Sequence, residues 1–385
     1  MTVSVVARSV HGIEWVCAEE ITSRVPGARR VTLARREVTF QVPAVDEALV
    51  DLRTVDDLFL WVGEVDGVGT ARSDPPFTAR RLTRLDWGRA LEQVRRVRPV
   101  PVGPCFDVVA SIEGRRRYNR YEVQDAVGAA LAPVLRGRYL TRTATTGPVT
   151  EPDLTVRVFV RGPRAVVALR LAARPLHRRG YKVDTGAGTL HPPLAAAMVR
   201  LADPPPGGVL VDPFAGDGTI AIESALAYPG TRVVAADLDP RRLANAARNA
   251  ARAGAAVALV RADAAAPPLR PGGVSAVVTN PPWNLAVDAG GGLAGSLDRF
   301  WRRLPDPLAA TGRACLLTDA ELRAPAALAR AGWRLSLATR LRLAGRISHL
   351  LLCAPADRPA PELAGDLGSW RRRALSDGVV TDDGF

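Results

Sequence analysis

The residues with the clearest chemical purpose are Thr279-Asn280-Pro281-Pro282-Trp283-Asn284, which follow the apolar run from Val274 to Val278. A nucleobase amine is a weak nucleophile because its lone pair is delocalised into the ring, so a catalyst must favour the pyramidal form in which that pair can attack. The Asn280 side-chain oxygen and a carbonyl of the Pro281-Pro282 turn can each accept one amine proton, and the prolines bring no competing N–H. Trp283 offers a flat face on which a base can stack. With a sulfonium methyl group as electrophile no strong base is required, and orientation and charge stabilisation carry the step. The turn therefore implies methyl transfer to an exocyclic amine. An ordinary strand-ending turn is the alternative.

Such a turn needs a cofactor cradle, and one lies upstream between Val209 and Thr219. An apolar strand there runs into Asp212-Pro213-Phe214-Ala215-Gly216-Asp217-Gly218-Thr219 and then a helix. Gly216, Gly218 and Ala221 satisfy G-x-G-x-x-A, and Asp237 closes the next apolar run about 20 residues on, which is equally a dinucleotide-binding fingerprint. A NAD-dependent oxidoreductase is thus a second reading. Asp212 argues against it, because a pyrophosphate would meet a negative charge there and a cationic sulfonium would not. Asp263, after the strand-like run from Val257 to Arg261, is placed to bind an adenine amine. Asp239-Pro240 reads as the cap and first residue of a helix ended by Gly254. Glu223 and Asn249 lie on the helices after the first two strands, where they either orient the loops or are satisfied on a surface.

At 385 residues the chain is long enough for two or three domains. Cys17, Cys105, Cys315 and Cys353 are scattered without a C-x-x-C pair, so no metal site is expected and the thiols read as reduced. His191 lies close to the site in sequence but reads as structural. No apolar run reaches the length of a membrane span and no basic leader opens the chain, so a cytoplasmic protein without membrane attachment is expected.

The net charge of +13 is concentrated. Residues 1–68 carry a net −4, residues 69–190 a net +13 and residues 191–385 a net +4. The middle segment holds Arg115, Arg116, Arg117 and Arg120, then Arg178, Arg179 and Lys182, with Tyr118, Tyr121 and Tyr181 interleaved. That pattern suits a polyphosphate ligand, RNA above all. A solvated Arg-rich surface is the bland alternative.

The coarse layout agrees. Strand-like runs at Val3 to Ala7, Arg36 to Val42 and Leu58 to Val62, with a helix from about Ile13 to Arg24, make a small α+β unit. Phe106 to Ile112 is strand-like, Tyr121 to Leu135 helical, and Asp153 to Val160 with Ala165 to Leu171 reads as a hairpin. From His191 onward helices and strands alternate as in an α/β, doubly wound, mostly parallel sheet. Ala314 to Thr318, Leu335 to Leu343 and Ser348 to Cys353 close that sheet, the last two as an antiparallel hairpin. The expected divisions are 1–68, 69–172, a linker at 173–190, a catalytic unit at 191–356 and a tail at 357–385 that is weakly ordered apart from Trp370-Arg371-Arg372-Arg373.

These motifs resemble class I S-adenosylmethionine methyltransferases. Their order resembles the THUMP-containing RNA guanine-N2 methyltransferases, including those acting on the tRNA acceptor stem. The likeness covers nearly the whole chain: His11-Gly12-Ile13-Glu14, the Phe106-to-Leu171 pattern, Leu176 to Tyr181, Leu194 to Met198, and Asp212 to Thr219. It implies a seven-stranded Rossmann-like catalytic sheet preceded by ferredoxin-like and THUMP domains that hold the RNA 3′ end. It implies S-adenosylmethionine as cofactor, cradled by Asp212, Pro213, Phe214, Ala215, Gly216, Gly218 and Thr219. Asp237 would accept the ribose hydroxyls and Asp263 hold the adenine amine, with Leu238, Ala264 and Asn280 also at the cofactor, while Asn280, Pro281, Pro282 and Trp283 face the target base. Trp283 and Asn284 depart from the family's frequent NPPY-G. The resemblance favours tRNA as partner; the sequence is silent on oligomeric state, and a monomer is favoured. Other readings are an rRNA guanine-N2 methyltransferase, a DNA adenine or cytosine amino-methyltransferase and, more remotely, a non-catalytic RNA-binding protein.

Overall fold

The computed structural model describes residues 2–141, 151–283, 290–294, 296–343 and 345–381. The first half of the chain runs β1 (Val3–Arg8), α1 (Glu14–Arg24), β2 (Arg29–Ala34), β3 (Glu37–Val42), α2 (Glu47–Val50), β4 (Asp57–Val65), α3 (Asp74–Leu82) and α4 (Trp87–Arg95). It continues through β5 (Cys105–Ile112), α5 (Arg120–Leu135), β6 (Arg138–Tyr139), β7 (Leu154–Arg161) and β8 (Arg164–Arg170). All eight strands share one sheet, ordered β2-β3-β1-β4-β8-β7-β5-β6. The two α+β units read from the sequence are thus joined edge to edge, because β4 pairs antiparallel with β8 along Phe59–Arg170 and Leu60–Leu169. That pairing covers an edge whose backbone groups would otherwise be unpaired. The hairpin expected from Asp153 to Leu171 forms between β7 and β8.

Helix α5 shows how local sequence sets an element. Asn119 accepts hydrogen bonds from the Tyr121 and Glu122 amides while Glu122 accepts one from the Asn119 amide at 2.7 Å. This reciprocal cap fixes where the helix starts, and with it the loop that carries Arg115 to Arg120.

The second half runs α6 (Pro192–Ala202), β9 (Val209–Asp212), α7 (Thr219–Ala227), β10 (Arg232–Asp237), α8 (Pro240–Ala253), β11 (Val257–Arg261) and β12 (Val274–Thr279). It closes with α9 (Asp298–Arg303), β13 (Leu308–Asp319), α10 (Ala324–Arg330), β14 (Trp333–Leu343), β15 (Arg346–Pro355) and α11 (Leu367–Ser376). Seven strands are ordered β11-β10-β9-β12-β13-β15-β14. The first five are parallel, and β15 is antiparallel to both neighbours. This is the expected doubly wound Rossmann-like sheet. Its order reverses between β9 and β12, so the crevice beyond their carboxyl ends is the natural ligand site. Asp239 caps α8 by accepting from the Arg241 amide at 2.8 Å, and Gly254 ends it at φ +63°.

One expectation is corrected. The tail at 357–385 is not weakly ordered throughout, because α11 packs on α1 and buries Leu367 and Ala374, with Val379 and Val380 buried just beyond. Leu367, Trp370 and Ala374 recur at helical spacing, which gives that stretch an apolar face despite its Arg, Asp and Gly content. Strand β2 and helices α3 and α4 also stand where the sequence offered no assignment.

Candidate active site and RNA interface

The crevice is built from the ends of β9, β10, β11 and β12. Asp212 ends β9 and is fully buried. Its Oδ1 accepts from the Thr279 hydroxyl at 2.7 Å and the Phe214 amide at 3.2 Å, which ties β9 to the residue before Asn280. Its Oδ2 is buried without a hydrogen-bond partner. Burial pushes the Asp212 carboxyl up to about 7, against the lowering effect of those two bonds. An orphaned buried acceptor is costly and unusual, and it fits a cationic ligand such as the ammonium or sulfonium group of S-adenosylmethionine.

Both glycines of the turn have positive φ, +52° at Gly216 and +85° at Gly218. Their roles differ. Nothing lies within 4 Å of where a Gly216 Cβ would stand, whereas one at Gly218 would meet Ala246 of α8 at 2.9 Å. Gly216 thus leaves open space for a ligand, and Gly218 lets α7 approach α8. Asp237 ends β10, with Oδ2 accepting from the Gly216 amide at 2.8 Å and Oδ1 from the Asp239 amide at 2.9 Å. Each carboxylate oxygen keeps a second acceptor position for a hydroxyl. Leu238 beside it is 41% exposed, an apolar surface at the mouth of the cleft. Asp263, after β11, accepts from Ala265 and Gly292 amides at 2.8 and 2.7 Å, next to buried Ala264.

Beyond β12 Pro281 is buried, and Pro282 and Trp283 are half-buried. The Asn280 Oδ1 and the Trp283 indole nitrogen are both buried without a partner. The acceptor wanted for an amine proton is therefore not consumed by the fold. Asn284 lies outside the described residues.

Sequence reasoning missed Asp217. Its buried carboxylate accepts from the Gly186 amide at 2.7 Å, from Asn245 at 2.9 Å, from Arg242 at 2.8 Å and from the Thr189 hydroxyl. Burial alone would raise it, but these bonds overcome that and hold it below the usual carboxylate range. Asp217 and Asn249 together dock residues 183–189 onto the glycine turn, Asn249 receiving the Val183 and Asp184 amides at 3.1 Å. The signal was the acid between the two glycines. His191 stacks on His177 at 5.3 Å at the start of α6, and burial followed by the neighbouring His177 pushes it down to about 4. It is neutral at physiological pH.

The basic residues divide. Arg115, Arg117, Arg120 and Arg178 are exposed. Arg120 lies over the Tyr121 ring at 4.8 Å and donates to its hydroxyl. A groove of about 890 Å³ opens beside β5 and the start of α5, lined by Ser111, Arg115, Asn119, Arg120, Tyr121 and Arg157 among others. Three expected RNA contacts turn inward instead. The Arg116 guanidinium donates to the Val68, Gly69 and Gly162 carbonyls. Arg179 pairs with Glu223 at 3.0 Å, and Lys182 donates to the Leu190 carbonyl at 3.0 Å. In each case a nearby acceptor takes the cation before solvent does. Tyr118 and Tyr181 are likewise buried, which leaves Tyr121 as the exposed aromatic of the three. No helix among the described residues is long and apolar enough to cross a membrane.

The chain is similar to known methyltransferases over most of its length. A family model described as RMKL-like, methyltransferase domain, matches residues 179–348. A tRNA (guanine(6)-N2)-methyltransferase from Thermus thermophilus is 35% identical over 319 residues, covering 80% of this chain and 86% of that protein. The crystal structure of TrmN from Thermus thermophilus matches with a TM-score of 0.72 at 30% identity, over 92% of this chain and 99% of that one. A possible methylase from Clostridium difficile 630 shares the fold at a TM-score of 0.69 and 18% identity, over 94% and 100% of the two chains. The chain is thus a methyltransferase with an RNA substrate, and it belongs to the S-adenosylmethionine-dependent tRNA guanine-N2 methyltransferase family.

Proposed function

We propose that this protein methylates the N2 amine of a guanosine in the tRNA acceptor stem, the sixth nucleotide being the position for which the Thermus relative is named. One observation supports this most directly. At the crevice between β9 and β12, Asn280 Oδ1 and Asp212 Oδ2 are two buried acceptors without partners, joined through the Thr279–Asp212 bond.

When bound, S-adenosylmethionine supplies an electrophilic methyl group on a sulfonium. Asp212 and the open space at Gly216 would receive its methionine end, Asp237 its ribose, and Asp263 with Leu238 its adenine. Asn280 Oδ1 and the Pro281 carbonyl each accept one proton of the guanine amine and turn its lone pair toward the methyl group. Trp283 stacks on the base, which must leave the helix to reach the crevice. The amine is cationic as the new bond forms, and it loses one proton to solvent after transfer.

The groove beside β5 is the proposed seat of the RNA 3′ end. Arg115, Arg117, Arg120 and Arg178 meet phosphates there and along the path to the crevice, and Tyr121 stacks on a base. An unmodified tRNA transcript incubated with the protein and labelled cofactor tests the reading. Nucleoside mass spectrometry should return labelled N2-methylguanosine. Label on adenine N6, a ring carbon or a ribose oxygen overturns it.

A further inference from the structure

Ser348, Asp319 and Arg346, at the carboxyl end of β13 and the start of β15, have no part in the chemistry described so far. Strand register places them beside it. β12 and β13 run parallel with Thr279 opposite Leu316, and β13 and β15 run antiparallel with Asp319 opposite Ser348. Side chains alternate along a strand, so Asp319 shares a face with Leu317, and Ser348 shares it with Leu350. Val278, Leu317, Leu341 and Leu350 form one apolar cluster on that face, and Trp283 is half-buried against it. Asn280 follows two residues after Val278. From strand spacing and rise, its backbone stands about 8 Å from that of Asp319.

Ser348 is fully buried, and its hydroxyl has no hydrogen-bond partner. A hydroxyl left so is costly and calls for an explanation. Opposite it, Asp319 is 2% exposed and accepts from Arg346 Nε at 2.8 Å, from Arg346 Nη2 at 3.3 Å and from the Glu321 amide at 2.9 Å. This fork fixes the plane of the guanidinium and takes up its Nε and Nη2 edge, so the Nη1 group stays on the far side. The Arg346 side chain keeps 37% of its surface exposed. Two donors, the Ser348 hydroxyl and the Arg346 guanidinium, therefore stand one and two strands away from the Asn280 acceptor.

We propose that Ser348 and Arg346, the latter positioned by Asp319, donate to O6 of the guanine whose N2 amine is held at Asn280, and so select guanine over purines without an acceptor there. The inference rests on the proposed function for its substrate. Guanine carries N2 and O6 on one edge, on either side of N1, so a base held by its amine at β12 can extend that edge over β13 toward β15. Arginine is the side chain best matched to the O6 and N7 of guanine. Adenine has an amine donor in place of O6, which would face both donors and find no acceptor. Asn280 Oδ1 and Ser348 Oγ are both buried, and an outward swing of Trp283 would admit the base to them.

The experiment measures kcat/KM on two otherwise identical tRNAs, one with guanosine and one with 2-aminopurine at the target nucleotide. 2-Aminopurine keeps the N2 amine and lacks O6. The unaltered protein should favour guanosine by about a hundredfold or more, the scale of one neutral and one charged hydrogen bond together. Ser348→Ala should slow guanosine methylation about five- to tenfold and Arg346→Met about ten- to a hundredfold, each leaving the rate on 2-aminopurine within about twofold. The ratio of the two rates does not depend on the fraction of protein folded, so a destabilised variant still gives an answer. Thr318→Val is the control, because the Thr318 hydroxyl is also buried without a partner but alternation puts it on the opposite face with Leu316. Its ratio should match that of the unaltered protein. Equal losses on both RNAs in either variant, a Thr318→Val ratio that falls as far as theirs, or an unaltered protein that methylates 2-aminopurine as fast as guanosine overturns the assignment. An unaltered protein that methylates neither RNA overturns the functional reading itself, so the two failures are told apart.

Discussion

Replacing Asp212 with Asn should make the cofactor-free protein more stable and the cofactor-binding protein weaker. Asp212 is fully buried, one of its oxygens has no partner, and its carboxyl titrates at about 7 against an ordinary value near 3.8. Its folded pKa lies above the unfolded one, so the folded state binds the extra proton and stability falls as pH rises from about 4 to about 7. A shift of roughly three units corresponds to about 4 kcal/mol, an upper bound that Asp212→Asn should partly recover above pH 7. A cationic ligand needs the ionised carboxylate. Affinity for S-adenosylmethionine should therefore rise about eightfold between pH 6 and 7.5, with uptake of cofactor releasing close to one proton at the lower pH. Calorimetry in two buffers of different ionisation enthalpy reads both quantities, and thermal melts of the cofactor-free proteins read the stability. In Asp212→Asn the pH dependence should vanish and the melting midpoint at pH 8 should rise. A flat pH profile in the unaltered protein, or full affinity in the variant, refutes the reasoning.

Asn280→Ala should keep cofactor and RNA affinity while single-turnover methylation slows by about two to three orders of magnitude, the scale of one lost transition-state hydrogen bond in a dry site. Trp283→Ala should cost about 1–3 kcal/mol of base stacking, seen partly in KM. Reversing Arg115, Arg117 and Arg120 to Glu should lower RNA affinity and flatten its salt dependence by about 0.7 to 0.9 per lost phosphate contact. Arg116→Glu should instead lower the melting midpoint, because its guanidinium serves the Val68 and Gly69 carbonyls. Titration of RNA at several salt concentrations, with a thermal melt of each variant, separates the two. Asp237→Ala should weaken S-adenosylmethionine severely in calorimetry, since it loses both the ribose acceptor and the Gly216 anchor.

The candidate site was legible in the sequence where its chemistry is local. Asn280 to Trp283, the glycine turn and the acids after β10 and β11 each announce themselves within a few residues, and strand alternation supplies the rest of the catalytic sheet. Cation placement was not legible, because it is decided across long separations. Arg179 and Arg178 are adjacent and chemically identical, yet one is drawn inward by a carboxylate 44 residues on and by a carbonyl 126 residues back, while the other stays exposed. Arg116 is set apart from Arg115 and Arg117 by the carbonyls of a loop 47 and 48 residues earlier. The fusion of two small units into one sheet was hidden for the same reason, since nothing within β4 says which strand will cover its edge. In the tail, an apolar face spaced at helical intervals outweighed a composition that reads as disorder.

The central claim is that the guanine N2 amine is the group held at Asn280 and methylated there. It is tested most directly by a tRNA transcript in which the target guanosine is replaced by inosine, which differs only in lacking that amine. The account predicts unchanged RNA binding and no methyl transfer to that nucleotide. Methylation of the inosine at a rate near that of guanosine would contradict it.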